Sequence, residues 1–170
     1  MGRSNGVSQI YILTNEIWGR RTTVSGTSGE GKSVRAANDG KAFASASDSQ
    51  LSFFPDFTVK QNPFGWKQRG NTISIPSYVR SIALSDNGNY IVVGLYKEPG
   101  LYLDANAGSV RVYSLNGSTW TQREFDVVHD TGNTFFGYAV AISPDGTKFA
   151  AGGNGLVRVF TNEALGTRSA

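Results

Sequence analysis

The sequence predicts an all-β fold, and three features support this prediction. Gly is abundant at 21 of 170 residues, and Ser, Thr and Asn are frequent while Glu and Lys are few. This composition favours strands and tight turns over helices. Apolar and polar residues alternate with period two along many short segments, which is typical of strands with one buried face. Asp-Gly or Asn-Gly dipeptides recur between these segments and indicate turns.

Three stretches align without gaps, and each predicts a strand, a tight turn and a second strand. They are GKSVRAANDGKAFASAS from Gly31, VRSIALSDNGNYIVVGL from Val79 and GYAVAISPDGTKFAAGG from Gly137. The central dipeptides supply the positive φ angles of a two-residue hairpin turn, and they are Asp39-Gly40, Asn87-Gly88 and Asp145-Gly146. Small residues near the ends of the second strands predict close approach of a neighbouring backbone, and they are Ala46, Gly94 and Gly152.

A third and a fourth strand complete the predicted repeat unit. The third strand occurs four times, as SQIYIL from Ser8, SQLSFF from Ser49, GSVRVY from Gly108 and GLVRVF from Gly155. The fourth strand begins with a Trp, and all tryptophans of the chain hold this position, namely Trp18, Trp66 and Trp120. An Arg follows three places after each of them, at Arg21, Arg69 and Arg123.

Four short antiparallel strands that recur with turn glycines 48 and 58 residues apart are the sequence pattern of β-propeller blades. The chain is predicted to form one repeat domain over residues 1–170, with about three blades and a partial one. Its units are 8–28 (partial), 29–70, 77–125 and 134–170 (partial). A β-sandwich with accidental similarity among its strands is the less favoured alternative, because hairpins, third strands and tryptophans all keep the same order.

The repeats resemble the FG-GAP type of propeller repeat. The resemblance is carried by GSVRVYSLNGSTWTQ and TGNTFFGYAVAISPDGTKFAAGGNGLVRVF, which contain a Phe-Gly pair at Phe136-Gly137. It covers nearly the whole chain, weakens before Arg69, and is degraded where Glu30-Gly31 and Val79 replace the pair. It implies a propeller with a recognition or scaffolding role. The order of strands is also similar to that of WD-type repeats, although the Gly-His and Trp-Asp markers are missing.

The number of blades predicts assembly. Propellers close with roughly four to eight blades, and an open array leaves apolar blade faces exposed to water. The early segment LTNEIWGRR and the late segment FTNEALGTR share one frame, so the chain ends in the phase in which it began. We therefore expect a homo-oligomer, or completion by other proteins of a larger assembly. A segment of a longer array is an open alternative.

No catalytic, metal or cofactor site is predicted. The chain has no Cys, and its single histidine, His129, is adjacent to Asp130, so the two side chains would leave a strand on opposite faces. In FG-GAP receptors the resemblance implies calcium in the hairpin loops, but calcium needs several carboxylates and each loop here has one. The loops are Ala37–Lys41, Ser85–Asn89 and Ser143–Thr147. Enzyme activity is not expected, with Asp56 and Asp104 as the carboxylates left open.

Charge and hydropathy disfavour two other classes of partner. The net charge is +3, but the 16 basic residues are scattered and form no patch of the kind that nucleic acid requires. No window approaches the length of a membrane span, and the N-terminus lacks the apolar segment of a secretion signal. We expect no nucleic acid and no membrane insertion, and an extracellular or particle-surface location is favoured.

Two inserts that interrupt the repeat are the candidate contact sites, because loops on a rigid scaffold usually carry function. The predicted contact residues are Phe54, Phe57 and Phe64 in the first insert, and Tyr96, Tyr102 and Asp104 in the second. Packing under a blade or on a neighbouring chain also explains both inserts. Trp18, Trp66 and Trp120 are expected to pack between blades. The predicted function is a non-enzymatic structural or recognition module, and the alternative is a lectin-like propeller that binds glycans.

Overall fold

The computed structural model describes residues 5–14, 17–28, 33–36, 42–46, 50–55, 70–75, 78–95, 106–123, 127–128 and 134–161. Side chains are described in 33–36, 43–46, 70–75, 78–95, 106–123 and 134–161. Every regular element within these ranges is a β-strand, and all pairings between strands are antiparallel. The all-β prediction is therefore confirmed.

The first half of the chain forms a hairpin and a four-stranded sheet. The hairpin pairs β1 (Asn5–Thr14) with β2 (Ile17–Ser28). The sheet, called blade 1, has the order β3 (Ser33–Ala36), β4 (Ala42–Ala46), β5 (Gln50–Pro55) and β6 (Ile73–Ser74). Each strand therefore pairs with the next one along the chain, as in a propeller blade.

The second half forms two sheets of the same design. Blade 2 contains β7 (Ser81–Leu84), β8 (Tyr90–Leu95), β9 (Ser109–Asn116), β10 (Thr119–Gln122) and β11 (Val127–Val128). Its strand order is β7-β8-β9-β10, and the short β11 pairs with the other end of β9. Blade 3 contains β12 (Ala139–Ile142), β13 (Lys148–Gly153) and β14 (Leu156–Thr161), in that order.

The first strands of the three blades lie side by side. Strand β7 contacts β3 on one side and β12 on the other, and β12 also contacts β8. The guanidinium Nε of Arg35 on β3 donates a hydrogen bond to the carbonyl of Ile82 on β7 at 3.2 Å. The blades are thus stacked through their faces with their first strands adjacent, which is the arrangement of blades around a propeller axis.

The two faces of blade 2 belong to two different cores. Along β7, β8 and β9, alternate side chains point to opposite faces, as the pleat of a strand requires. Ile82, Ile91 and Val93 pack with Ala44 and Ala46 of blade 1 in one buried cluster. The side chains on the opposite face of the sheet pack against blade 3 in the second cluster, and they are Ala83, Val92, Val110 and Val112.

The turns between the first two strands are longer than the sequence predicts. In blade 2 the N–H of Gly88 donates to the carbonyl of Ser85 at 3.0 Å, and in blade 3 Gly146 donates to Ser143 at 2.9 Å. Only the glycines have positive φ there, at 66° and 76°, whereas a two-residue type I′ turn requires positive φ at both central residues. The prediction of two-residue turns is therefore wrong for blades 2 and 3, where a turn from Ser to a left-handed Gly replaces them, while Asp39-Gly40 of blade 1 lies outside the described residues.

Serine side chains stabilise these longer turns. The Ser85 hydroxyl donates to Asn87 Oδ1 at 2.7 Å and accepts the N–H of Tyr90 at 3.0 Å. Ser143 makes the same two bonds, to Asp145 Oδ1 at 2.6 Å and from the N–H of Lys148 at 2.9 Å. Because the Ser side chain bonds to residues on both sides of the turn, it stabilises the longer turn where hydrogen bonds between the two strands have ended.

Strand β6 of blade 1 corresponds to β11 of blade 2. It pairs with β5 through Gln50↔Ser74 and Leu51↔Ile73, at the position in the repeat where β11 pairs with β9. Ile73 and Ile75 are both buried in the core between blades 1 and 2. The Trp66 segment, which the sequence predicts as the fourth strand of this blade, lies outside the described residues, and its assignment remains a prediction.

Candidate interaction surface

One face of blade 2 shows how consecutive blades pack. Val110 and Val112 on β9 are 0 % and 1 % exposed, because the apolar residues of blade 3 cover them. The covering residues include Phe136 and Phe149, and Phe160 stacks on Phe149 with ring centroids 4.8 Å apart. We call this side of a blade its forward face. In blade 2 the forward face consists of Ser81, Ala83, Val92, Gly94, Val110 and Val112.

The forward face of blade 3 is exposed. Its residues correspond in the repeat to those just named, and they are Ala139, Ala141, Ala150, Gly152, Val157 and Val159. Val157 and Val159, the counterparts of Val110 and Val112, are 74 % and 71 % exposed. The same residue type therefore lies in a core in one blade and on the surface in the next.

A Phe-Gly pair joins blade 3 to blade 2. Phe136 is fully buried, and its N–H donates to the carbonyl of Ala107 at 2.9 Å. Gly137 follows with φ of +88°, and its carbonyl accepts a hydrogen bond from the Ser81 hydroxyl at 2.9 Å. A Cβ on Gly94 would overlap that carbonyl, so the small residue at the end of β8 is required by the approach of the next blade. The predicted close backbone approach is confirmed at this position.

Trp120 lies at the contact between blades 1 and 2. Its side chain is 5 % exposed and shares a buried cluster with Ile73 and Ile75 of blade 1. The backbone N–H of Trp120 donates to Asn71 Oδ1 at 2.8 Å, and a Cβ on Gly70 would come within 2.9 Å of the indole ring. Gly70 also has φ of +80°, a conformation that glycine adopts readily. Glycine at this position therefore allows the backbone to pass close to the indole.

A cation and two tyrosines mark the end of the sheets at which β7 and β12 begin. The guanidinium carbon of Arg80 lies 4.3 Å from the centroid of the Tyr138 ring, and Nη2 donates to the Tyr138 hydroxyl at 2.7 Å. Tyr138 and Tyr78 are both exposed. A cleft of about 410 Å³ is lined by Tyr138 together with Phe135, Gly153 and Asn154. This end of the blades can offer aromatic surface and one positive charge to a ligand.

The opposite end of blade 3 carries the Asp145 turn. Hydrogen bonds from the Ser143 hydroxyl, then from the backbone and side chain of Thr147, lower the pKa of Asp145 to about 2. The N–H of Asp86 in the neighbouring turn donates to the carbonyl of Pro144 at 2.9 Å. The carboxylate thus accepts hydrogen bonds within its own turn, while the two turns are connected through backbone.

Most of the contact residues predicted from the sequence lie outside the described structure. Phe57, Phe64, Tyr96, Tyr102 and Asp104 belong to ranges that are not described, as does Trp66, which was expected to pack between blades. Phe54 lies on β5 and Trp18 on β2, with only their backbones described. The roles given to these residues remain predictions. Trp120 is placed as reported above.

The exposed valines and the Arg80–Tyr138 pair were missed by sequence reasoning. Val157 and Val159 have the same letters as their buried counterparts in blade 2, so no local signal distinguishes them. Arg80 and Tyr138 directly precede strands and belong to no recurrent motif. The structure brings the last two together from positions 58 residues apart.

Two features are absent from the described ranges. No group of three or more His, Cys, Asp or Glu side chains comes together there in a way that could hold a metal ion. No helix in the same part of the chain is long and apolar enough to cross a membrane.

Comparison with known proteins relates the repeat to one family model. Residues 129–161 match the model described as WD40, "WD domain, G-beta repeat". This range contains all three strands of blade 3. The match supports a propeller repeat and does not support the FG-GAP type in particular. No curated protein sequence matches the chain.

Solved structures resemble the chain more extensively. Sqt1 from Chaetomium thermophilum matches with a TM-score of 0.65 and 19% identity, over 96% of this chain and 40% of that one. Hsv2p from Kluyveromyces lactis matches with a TM-score of 0.63 and 15% identity, over 92% and 43%. The β-propeller domain of Cps50 (Swd1) from Myceliophteria thermophila matches with a TM-score of 0.58 and 12% identity, over 84% and 41%.

These likenesses concern the fold. The chain spans less than half of the length of each of these structures. Stacked four-stranded blades, a Phe-Gly contact between them and a match over nearly the whole chain lead to one conclusion. The chain has a β-propeller fold, as the sequence predicts, and its third blade contains a stretch similar to a WD40 repeat.

Proposed function

We propose that this chain is a non-enzymatic scaffold that binds protein through the forward face of blade 3, within a larger assembly. One observation carries the proposal: Val157 and Val159 are exposed, while their counterparts Val110 and Val112 are buried by a neighbouring blade. Apolar side chains that form one exposed, uncharged face are typical of a protein interaction site.

The free energies of burial and of association indicate how large the partner must be. Burying one valine side chain contributes roughly 1.5–3 kcal/mol, so the two valines contribute about 3–6 kcal/mol. Association costs about 4–15 kcal/mol in lost translational and rotational freedom. The valines alone do not offset that cost, so the partner must also cover the small residues of β12 and β13. A folded surface satisfies this requirement better than a short peptide does.

The partner is a second copy of the chain or another protein of the assembly. Of these two partners, we favour a second copy of the chain. A closed propeller needs more blades than the described part of the chain contains, and self-association supplies them. Assigning the repeats to the FG-GAP type is a further proposal, supported by the buried Phe136-Gly137 pair between blades 2 and 3.

Light scattering over a concentration series tests self-association. We expect a mass well above the 18.2 kDa of one chain, and a return toward that mass in the double variant Val157→Asp, Val159→Asp. The double variant Tyr78→Asp, Asn116→Asp is the matched control, because it adds the same two charges on exposed residues that are not part of the forward face of blade 3. A monodisperse monomer at every concentration would rule out the self-associating form of the proposal.

A second candidate function is carbohydrate binding. It is favoured by the exposed ring of Tyr138 beside the Arg80 guanidinium, since sugars stack on aromatic faces and accept hydrogen bonds from polar side chains. A glycan array distinguishes this function from the first. Binding that is lost in Tyr138→Ala and kept in the Val157→Asp, Val159→Asp variant supports a lectin-like role, and an array without signal removes it.

A further inference from the structure

We infer that the forward face of blade 3 receives a propeller blade whose first strand is preceded by an aromatic-glycine pair. The inference rests on the proposed function and names the partner of that same face. The occupant is defined by chemistry: a sheet whose leading segment resembles Phe136-Gly137 of this chain. The arrangement is the one that blade 3 itself adopts on blade 2.

The existing contact between blades 2 and 3 defines what an occupant must bring. The Phe136 side chain packs among Val92, Val110 and Val112, while the Gly137 carbonyl occupies the space beside Gly94. Gly137 has φ of +88°, and a Cβ there would overlap the carbonyl of Ser109. An aromatic residue followed by glycine is therefore the pair that fits this face.

Gly152 indicates that blade 3 presents the same face. It is the repeat counterpart of Gly94, and both pair with a forward-facing valine, Val157 and Val110 respectively. Its φ is not positive, so its own backbone does not require glycine. Among the described residues, a Cβ on Gly152 would meet only Leu156 O at 3.2 Å and Val157 Cγ2 at 3.4 Å, both in its own blade. The space that Gly137 occupies beside Gly94 is therefore open beside Gly152.

The contact between blades 1 and 2 shows that the residues at these two positions, one on the receiving blade and one on the incoming blade, differ together. There the counterpart of Gly94 is Ala46, and the counterpart of Gly137 is Val79; both are buried in one cluster. Glycine on the receiving blade thus accompanies glycine on the incoming one, and alanine accompanies valine. Because blade 3 has glycine at this position, its partner is expected to have glycine in the leading segment.

One residue of the face departs from the pattern. Ser81, which donates a hydrogen bond to the Gly137 carbonyl, corresponds to Ala139 in blade 3. An incoming glycine carbonyl would lack that donor. Docking on blade 3 is therefore expected to be weaker than the contact within the chain, and Ala139→Ser is expected to strengthen it.

An extended chain tests the inference directly. Residues 162–170 are replaced by a second copy of residues 115–161, which continues the repeat in register because Thr161 corresponds to Ser114. The chain has no Cys, so Val159→Cys in the first copy provides a single thiol on the forward face. Its rate of alkylation by a maleimide is compared with that of the same variant in the 170-residue protein. We expect alkylation to be at least about tenfold slower in the extended chain, since tethering makes docking intramolecular.

Three variants of the extended chain make the test specific. Gly152→Val in the first copy fills the open space and is expected to restore fast alkylation without altering the added blade. Ala139→Ser in the first copy is expected to slow alkylation further. Asn154→Asp in the second copy is the control and is expected to leave the protection unchanged, because Asn154 is exposed in the turn between β13 and β14 and is not part of the cluster that packs blade 3 on blade 2.

The outcomes separate this inference from the proposed function. Equal alkylation rates in the two chains, or protection that Gly152→Val leaves intact, would overturn the inference. If those results accompany self-association that Val157→Asp and Val159→Asp abolish, the scaffold function stands and the partner is of another kind. Protection in the extended chain without any association between chains supports the inference and counts against the self-associating form of the scaffold.

Discussion

Val112 and Val159 hold the same position in two consecutive blades, yet the first is 1 % exposed and the second 71 %. Both follow the same Val-Arg pair on a third strand of their blade. The difference in exposure arises from the residues packed against each valine, since Phe136, Phe149 and other residues of blade 3 cover Val112. Within the described part of the chain, blade 3 has no equivalent neighbour on its forward face.

Gly94→Ala should destabilise the protein far more than Gly152→Ala. The added methyl at Gly94 would overlap the backbone carbonyl of Gly137, which cannot move without shifting blade 3. We expect a loss of about 1–3 kcal/mol or more, as for overpacking in a core. At Gly152 the nearest atom is 3.2 Å away, and the cost should be well below about 1 kcal/mol.

Urea unfolding of both variants at one protein concentration measures this difference. The two glycines are matched controls for each other, because they occupy the same repeat position in similar strands. Equal losses of free energy of unfolding would mean that the approach of the Gly137 carbonyl does not restrict Gly94.

Asp145 should contribute to stability in a pH-dependent way. Its pKa is lowered to about 2 in the folded protein, from an ordinary value of 3.8, by hydrogen bonds from Ser143 and Thr147. A lowered folded pKa means that the ionised form stabilises the fold. The contribution is fully present above pH 3.8 and is lost as the pH falls through 2.

The variant Asp145→Asn isolates this effect. Asparagine keeps the acceptor oxygen, as Asn87 does in the corresponding turn of blade 2. We expect the difference in unfolding temperature between the parent and Asp145→Asn to shrink as the pH falls from 5 to 2, with the parent more stable at the higher pH. A constant difference across this range would show that the carboxylate charge has no role in the turn.

Trp120→Ala should weaken the contact between blades 1 and 2. The indole is almost fully buried beside Gly70 and Ile73, and removing a buried aromatic side chain costs about 3–5 kcal/mol. The hydrogen bond to Asn71 comes from the backbone N–H and is retained in the variant. Trp120→Phe should cost less, because most of the apolar contact remains.

Chemical denaturation followed by circular dichroism checks this expectation without relying on the fluorescence that the substitution removes. Tyr78→Ala, an exposed aromatic deletion, serves as the control and should change stability by less than about 0.5 kcal/mol. A similar small effect for Trp120→Ala would argue against its contact with blade 1.

The Arg80–Tyr138 pair should contribute modestly to joining blades 2 and 3. Tyr138→Phe removes the hydroxyl that accepts from Arg80 and keeps the ring beneath the guanidinium. Because both residues are exposed, we expect a loss of about 0.5 kcal/mol for Tyr138→Phe and about 1 kcal/mol for Tyr138→Ala.

A double-mutant cycle with Arg80→Met measures the coupling between the two side chains. The coupling free energy should be positive and smaller than about 1 kcal/mol, and it should fall in high salt. Additive effects of the two substitutions would mean that the contact contributes nothing to stability.

The repeat in the sequence was sufficient to predict the kind of fold. Alternation with period two and recurrent Asx-Gly dipeptides are local consequences of strand pleat and turn geometry, so they can be read without tertiary contacts. The small residue Gly94 similarly indicated close backbone approach. The turns of blades 2 and 3 were misassigned because a Ser hydroxyl bridges a longer turn than the Asx-Gly dipeptide suggested.

The candidate surface required the tertiary structure. The amino-acid sequence by itself determined that four-stranded units would form, because each unit is specified by local alternation and turn residues. Only the packing of blade on blade decided that Val110 is buried, that Val157 is exposed, and that Arg80 meets Tyr138. Identical residues at equivalent positions have equal local propensities, so their difference in burial arises from long-range contacts alone.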